Sequence, residues 1–314
     1  MGEEIRRHVL EDGGQRVALL NLGCITQSWE MRDGTNIVLG YDRAGGYRQN
    51  PMFLGAIVGR VAGRIGGAAF TLDGTRWQVD ASEPPNCLHG GAGGIHTRLW
   101  QMETDGARAV ELRLTSEHVD QGFPGRLDLT VTIRLENGWL TYDMAAEADR
   151  PTPVSLAQHS YYNLAGHGTI WDHRLRVPAD TRVVSDAANV ATERTEPVAG
   201  TPLDLQAGRT IAEADPESSG LDMTYAKLAA TEESPVILTA PGGREMRMVS
   251  DQPCLQAYTG AYIGPLHGSA HAPFHGLCLE PQGWPNAVNR PAFPQSIAAP
   301  GAPYRQRLAL RLTP

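Results

Sequence analysis

"RLDLTVTIRLENGWLTYDM", residues 126–144, alternates apolar and polar side chains, turns at an Asn-Gly pair and starts again. Leu127, Leu129, Val131, Ile133 and Leu135 fall on one face, the period of two that marks a half-buried strand. Asn137 and Gly138 supply the positive φ angles of a tight hairpin, so two antiparallel strands are expected. "AFTLDGTRWQV" (69–79) repeats the device around Asp73-Gly74. "YRQRLALRLTP" (304–314) sets Leu308, Leu310 and Leu312 against Arg305, Arg307 and Arg311, a half-exposed final strand. Helical signals shrink to a turn or two in "LQAGRTIAEAD" (205–215), and no repeat, low-complexity tract or flexible linker interrupts the chain. The pattern predicts an all-β fold: one large antiparallel domain over residues 1–314, with few short helices and with the Pro-rich patches near 81–86 and 281–303 as ordered loops.

Composition agrees with a turn-rich β-protein: 35 Gly and 22 Pro are above average usage, yet too few for a disordered or collagen-like chain. A net charge of -8 with no run of Lys or Arg argues against a nucleic-acid partner, which needs a basic face. No stretch of 18 apolar residues exists, and "MGEEIRRHVLEDGG" is acidic and polar where a signal peptide would be basic and then apolar. A soluble, cytoplasmic protein with no membrane partner is the expectation. Cys24, Cys87, Cys254 and Cys278 form no C-x-x-C pair, so they read as reduced packing thiols, with a single disulfide still open.

Several windows could carry chemistry. In "HGLCLEPQGWPNAVNRPAFP" (275–294), Leu277 and Leu279 point one way while Cys278 and Glu280 point the other, which places Glu280 where the apolar segment ends and the chain turns. Two readings fit: a strand-end carboxylate in water, or a catalytic carboxylate at the mouth of a β-structure. "GAIVGRVAGRIGG" (55–67) is neither a membrane-dimer motif, since Arg60 and Arg64 interrupt it, nor a phosphate loop, since no Gly-Lys-Ser/Thr follows. Its arginines suit surface ion pairs, or guanidinium groups reaching a carboxylate or a sugar hydroxyl. His89 in "PPNCLHGGAGG" and His159 in "SLAQHSYYNLAG" are either ordinary hydrogen-bonded histidines or readers of sugar hydroxyls in polar-aromatic surroundings. His267, His271 and His275 have the spacing of a helical metal site, but Gly268, Pro273 and Gly276 oppose that helix. No G-x-S-x-G elbow or protease-type cysteine appears, which leaves general acid and base work by His and Glu.

Taken in order, "GRVAGRI" (59–65), "NCLHGG" (86–91), "GFPG" (122–125), "HSYYNLAG" (159–166), "GLDMTY" (220–225), "QPCLQAYTG" (252–260) and "CLEPQGWPNAVNRPAFP" (278–294) resemble the aldose 1-epimerase, or galactose mutarotase, family, collinearly from about residue 15 to 312. The resemblance implies a large antiparallel β-sandwich that binds a monosaccharide in an open cleft without metal or nucleotide. It implies Glu280 as the base at the anomeric hydroxyl and His159 as the acid at the ring oxygen, starting ionised and protonated respectively. It also implies Arg64, His89, Asp222 and Gln256 as sugar contacts, with Ser160 and Tyr161 lining the same pocket. Departures from the common pattern at Gly63, Ala157-Gln158, Met223-Thr224, Ala261 and Pro281 bear on which aldose is preferred. Alternatives are an epimerase of a phosphorylated hexose, which would need extra basic residues, and a non-catalytic sugar-binding module. The sequence is compatible with a monomer or a homodimer.

Overall fold

The computed structural model describes residues 4–264 and 270–313, so His267 of the spaced histidines lies outside the described residues. Alternation governs the larger of two main sheets. Its nine strands run, edge to edge, Arg209–Thr210, Arg174–Arg176, Val236–Thr239, Glu245–Ser250, Tyr304–Thr313, Trp139–Ala148, Leu127–Glu136, Ala109–Ser116 and Gln101–Asp105. Leu127, Leu129, Val131, Ile133 and Leu135 are all buried, as the sequence pattern requires. The turn residues Asn137 (φ 53) and Gly138 (φ 78) are left-handed, and so are Asp73 (φ 49) and Gly74 (φ 76). The expected helix in 205–215 is a single turn, Ile211–Ala214, closed by a reciprocal capping box between Thr210 and Glu213.

A six-stranded sheet orders Tyr161–Tyr162, Leu277–Gln282, Cys254–Tyr258, Asp222–Ala226, Thr181–Ser185 and Ala191–Pro197. One continuous apolar cluster joins its inner face (Leu255, Ala257, Leu277, Leu279, Met223, Tyr225) to the larger sheet (Leu129, Val131, Tyr142, Leu308, Leu310). That is the packing of a β-sandwich. The four cysteines are free and buried. Among the described residues, no helix is long and apolar enough to cross a membrane.

The Leu277–Gln282 strand is buried along its whole length on both faces. Glu280 is therefore not at a strand end, as the sequence suggested; the strand continues through Pro281 and Gln282. Proline is tolerated there because one flank is unpaired: the Tyr161–Tyr162 strand reaches only Leu277 and Cys278.

Candidate active site

Pairing register assembles the floor of a cleft on the outer face of the six-stranded sheet. Glu280 lies opposite Gln256, which lies opposite Thr224; one step along, Tyr161, Cys278, Tyr258 and Asp222 form a second row. Because side chains repeat every two residues, both rows point to the same face, away from the apolar core. Over this floor stands a cavity of about 330 Å³, walled by Met52, Phe53, Arg64, Glu83, His89 and His159 among others. That volume falls in the range of small-molecule sites, roughly 300–1,000 Å³.

Two loops deliver the histidines. The backbone of His159 is clamped to the 55–56 segment, donating to the Ala56 carbonyl at 2.8 Å and accepting from Gly55 at 3.0 Å. His89 donates its backbone N–H to the Gly63 carbonyl at 3.0 Å, while the Gly63 N–H donates to its ring Nδ1 at 3.2 Å. Nδ1 is thereby an acceptor, which leaves Nε2 as the ring's N–H. Gly63 has φ 73, a left-handed conformation that Gly and Asn share, so the departure from the common Asn keeps the backbone shape. Gly90 behind the histidine cannot be replaced so easily: a Cβ there would lie 2.0 Å from the Gly59 carbonyl oxygen.

At the centre, His159 Nε2 lies 3.7 Å from Glu280 Oε1, and both residues are buried (4 % and 3 % exposed). Glu280 Oε2 and the Tyr161 hydroxyl are buried with no protein partner. Orphan polar atoms at this depth call for a polar ligand. Burial pushes the Glu280 carboxyl up to about 8, with the nearby Asp222 charge adding to the effect and the Cys278 thiol opposing it. Burial takes the His159 imidazole down to about 3, with His96 contributing. Burial thus moves both groups toward their neutral forms, the carboxyl toward holding its proton and the imidazole toward losing its own. His89 is held well below its ordinary value by burial and by His159, His96 and Arg64.

Around this pair, Asp222 accepts from Gln256 Nε2 at 2.5 Å and from Asn189 Nδ2 at 2.7 Å, and Gln256 accepts from Thr224 at 2.5 Å. Burial raises the Asp222 carboxyl, against the opposing pull of Arg64 and Gln256. Arg64 donates from Nε and Nη2 to Glu83, at 2.5 and 2.8 Å. Burial alone would depress the guanidinium; the Glu83 carboxylate more than restores it.

The structure thus gathers Glu280, His159, Arg64, His89, Asp222, Gln256 and Tyr161 into one cavity. Ser160 is the exception. It is buried, hydrogen-bonded to Gln158, and does not line the cavity, because the neighbour of an inward-pointing His159 in extended chain faces away. Arg60 does not reach the cleft or a sugar either. It is buried and donates to the carbonyls of Ser116, Glu117, Pro124 and Gly125. Glu83, Asn189 and Phe53 were missed by the sequence reading. Phe53 packs edge-on against His89 and His96, with ring centroids 4.7 and 4.9 Å away, and lies 5.5 Å from His159. Glu83 stands three residues before the "NCLHGG" motif, a signal that only its pairing with Arg64 makes readable.

A model of the aldose 1-epimerase family matches residues 6–311. The chain belongs to the aldose 1-epimerase family. This family member is 35 % identical to galactose mutarotase of Sus scrofa over 96 % of the chain and 92 % of the relative. It is 32 % identical to aldose 1-epimerase of Escherichia coli K12 over 82 % and 79 %. In fold it resembles a GalM/aldose epimerase homologue from C. elegans, with a TM-score of 0.93 over 99 % of both chains at 24 % identity. As an aldose 1-epimerase family member the chain is an isomerase. Among the described residues, one group could hold a metal: His89, His159 and Glu280 offer ligand atoms within 4.8 Å of one another. The same spacing lets one sugar oxygen contact all three.

Proposed function

We propose that the cleft binds a free aldose such as galactose or glucose and interconverts its α and β anomers, with Glu280 as base and His159 as acid. The observation that carries this reading is the buried carboxyl–imidazole pair at 3.7 Å, both residues lining the cavity, with one Glu280 oxygen lacking a protein partner. A protonated Glu280 with neutral His159 has the same proton count as a carboxylate with imidazolium. Moving that one proton across the pair yields the reactive form with no exchange with solvent. Sugar hydroxyls that donate to the carboxylate favour the ionised base.

Glu280 then takes the proton of the anomeric hydroxyl as the C1–O5 bond breaks, and His159 gives its proton to O5. The open-chain aldehyde turns about C1–C2, and closure on the opposite carbonyl face runs the two transfers backwards. No proton is gained or lost over the cycle. Arg64, His89, Asp222 and Gln256 supply the donors and acceptors that hold the other oxygens. The two-carboxylate chemistry of a glycosidase fits less well, since both Asp222 oxygens are already taken by side-chain amides.

Polarimetry on freshly dissolved α-anomers of glucose, galactose, arabinose and xylose tests the proposal. Faster mutarotation of at least one sugar is expected; rates equal to the uncatalysed ones for all four would overturn it.

A further inference from the structure

Arg64 is, histidines apart, the one basic side chain lining the cavity among the described residues; three carboxyl groups, Glu83, Asp222 and Glu280, line it too. Two arms of the Arg64 guanidinium already meet Glu83 in a paired fork, Nε to Oε2 and Nη2 to Oε1. That fork is one of the two paired faces by which a guanidinium binds a phosphate or a carboxylate, and the Glu83 charge stands beside the other. Glu83 is itself held: its backbone N–H donates to the Asn86 carbonyl at 3.0 Å and its carbonyl accepts from Asn86 at 2.7 Å. It sits at the rim, with a side chain 42 % exposed, whereas Arg64 is 21 % exposed.

We propose that Glu83 is a specificity-determining and positioning residue, which cancels the charge of Arg64, takes one of its two paired donor faces, leaves the Nη1 and second Nη2 hydrogens to neutral hydroxyls, and turns anionic sugars away from the cleft. The proposal rests on the sugar-binding reading above and extends it to the charge of the substrate. A hydroxyl needs one donor, and the remaining Nη1 and Nη2 hydrogens provide it. A hexuronate or hexose 6-phosphate needs a positive field, and at the remaining Nη1/Nη2 face it meets a guanidinium already compensated by Glu83, with the Asp222 and Glu280 carboxyl groups lining the same cavity.

The test compares galactose with galacturonate and galactose 6-phosphate in the parent, Glu83→Gln and Glu83→Ala. Anomer exchange followed by NMR gives kcat/KM, and calorimetry gives binding. The parent should prefer galactose. In both variants the anion-to-neutral ratio of kcat/KM should rise about tenfold or more, while KM for galactose rises severalfold and kcat changes less, as expected when a positioning contact is lost. Glu83→Asp, which keeps the charge, should hold the parent's ratio. A ratio unchanged within twofold in folded Glu83→Gln and Glu83→Ala would overturn the role of Glu83, as would a parent that prefers the anions. If the parent turns over no neutral aldose, the proposed function fails by itself, and the calorimetric binding ratio still decides for or against Glu83.

Discussion

The outer face of the nine-stranded sheet and the outer face of the six-stranded sheet obey the same alternation and end as opposite surfaces. On the first, outward positions carry charges that water solvates: Arg134 pairs with Asp143 at 3.0 Å, and both are about half exposed. On the second, the outward row Glu280, Gln256 and Thr224 lies beneath the histidine and arginine loops, and Glu280 loses its water. Period two decides which residues leave the core, and what covers them decides their chemistry. A surface ion pair is worth little; a desolvated carboxyl is shifted by several pKa steps and becomes a reagent.

The contrast breaks most sharply at the acid–base pair. Glu280→Gln keeps shape and hydrogen bonding but cannot accept a proton, so turnover should fall by roughly 10²–10⁴ with sugar affinity little changed. His159→Asn should do similar damage. Because both act on one proton sequence, the double variant should be far less than multiplicatively worse; steady-state kinetics on the three proteins checks this. A folded Glu280→Gln within a few-fold of the parent would place Glu280 among ordinary buried polar groups.

Next in size is the contrast between the two arginines four residues apart. Arg60→Met takes its donors from the buried Ser116, Pro124 and Gly125 carbonyls, while the Glu117 carbonyl keeps the Asp120 N–H, and an unpaired buried group costs about 1–3 kcal/mol. A loss of roughly 3–5 kcal/mol in denaturant unfolding is expected, while the kcat of the folded fraction stays near that of the parent. A loss of activity larger than the loss of folded protein would tie Arg60 to the cleft after all.

The pH profile sharpens the comparison further. The pair holds one shared proton between the His159 value of about 3 and the Glu280 value of about 8. Above the upper limit the shared proton is lost, and below the lower limit a second one is added, so kcat/KM should be level between them and fall outside. An unshifted pair would instead peak narrowly near pH 5 to 6. Stability carries the same signature. Glu280, raised in the fold, contributes stability that is complete below its unfolded value and is lost as pH rises through about 8. His159, lowered in the fold, contributes stability that is complete above its unfolded value and is lost as pH falls through about 3. Thermal melts of the parent and Glu280→Gln should therefore diverge between pH 5 and 8, the variant showing the flatter curve.

The smallest effect belongs to the exposed face. Arg134→Ala should change stability by about 0–1 kcal/mol, less in high salt, and activity not at all. A larger change would mean that the outer face of the nine-stranded sheet is not the solvated surface described above.

Much of this was readable without coordinates. The hairpins at Asn137-Gly138 and Asp73-Gly74 are local, since a turn type and a period of two need only neighbouring residues. The site residues Glu280, His159, Arg64, His89, Asp222 and Gln256 came from ordered motifs, and all six line the cavity. Ser160 failed because motif adjacency says nothing about which way a side chain points, and in extended chain adjacent residues point apart. Arg60 failed for a similar reason: its hydrogen-bond partners lie 56 to 65 residues away, in a loop no local pattern connects to it.

The sequence by itself determined the strands, their inner and outer faces and the kinds of side chain available for proton transfer, because these follow from local sterics and residue chemistry. Tertiary structure alone decided that Glu280 sits in mid-strand, that burial raises its carboxyl while lowering the imidazole of His159 beside it, and that Glu83 pairs with Arg64. Each of those depends on which distant strand or loop lies within a few ångströms and on how much water it displaces. Desolvation and charge pairing act through space, and the chain order does not record that distance.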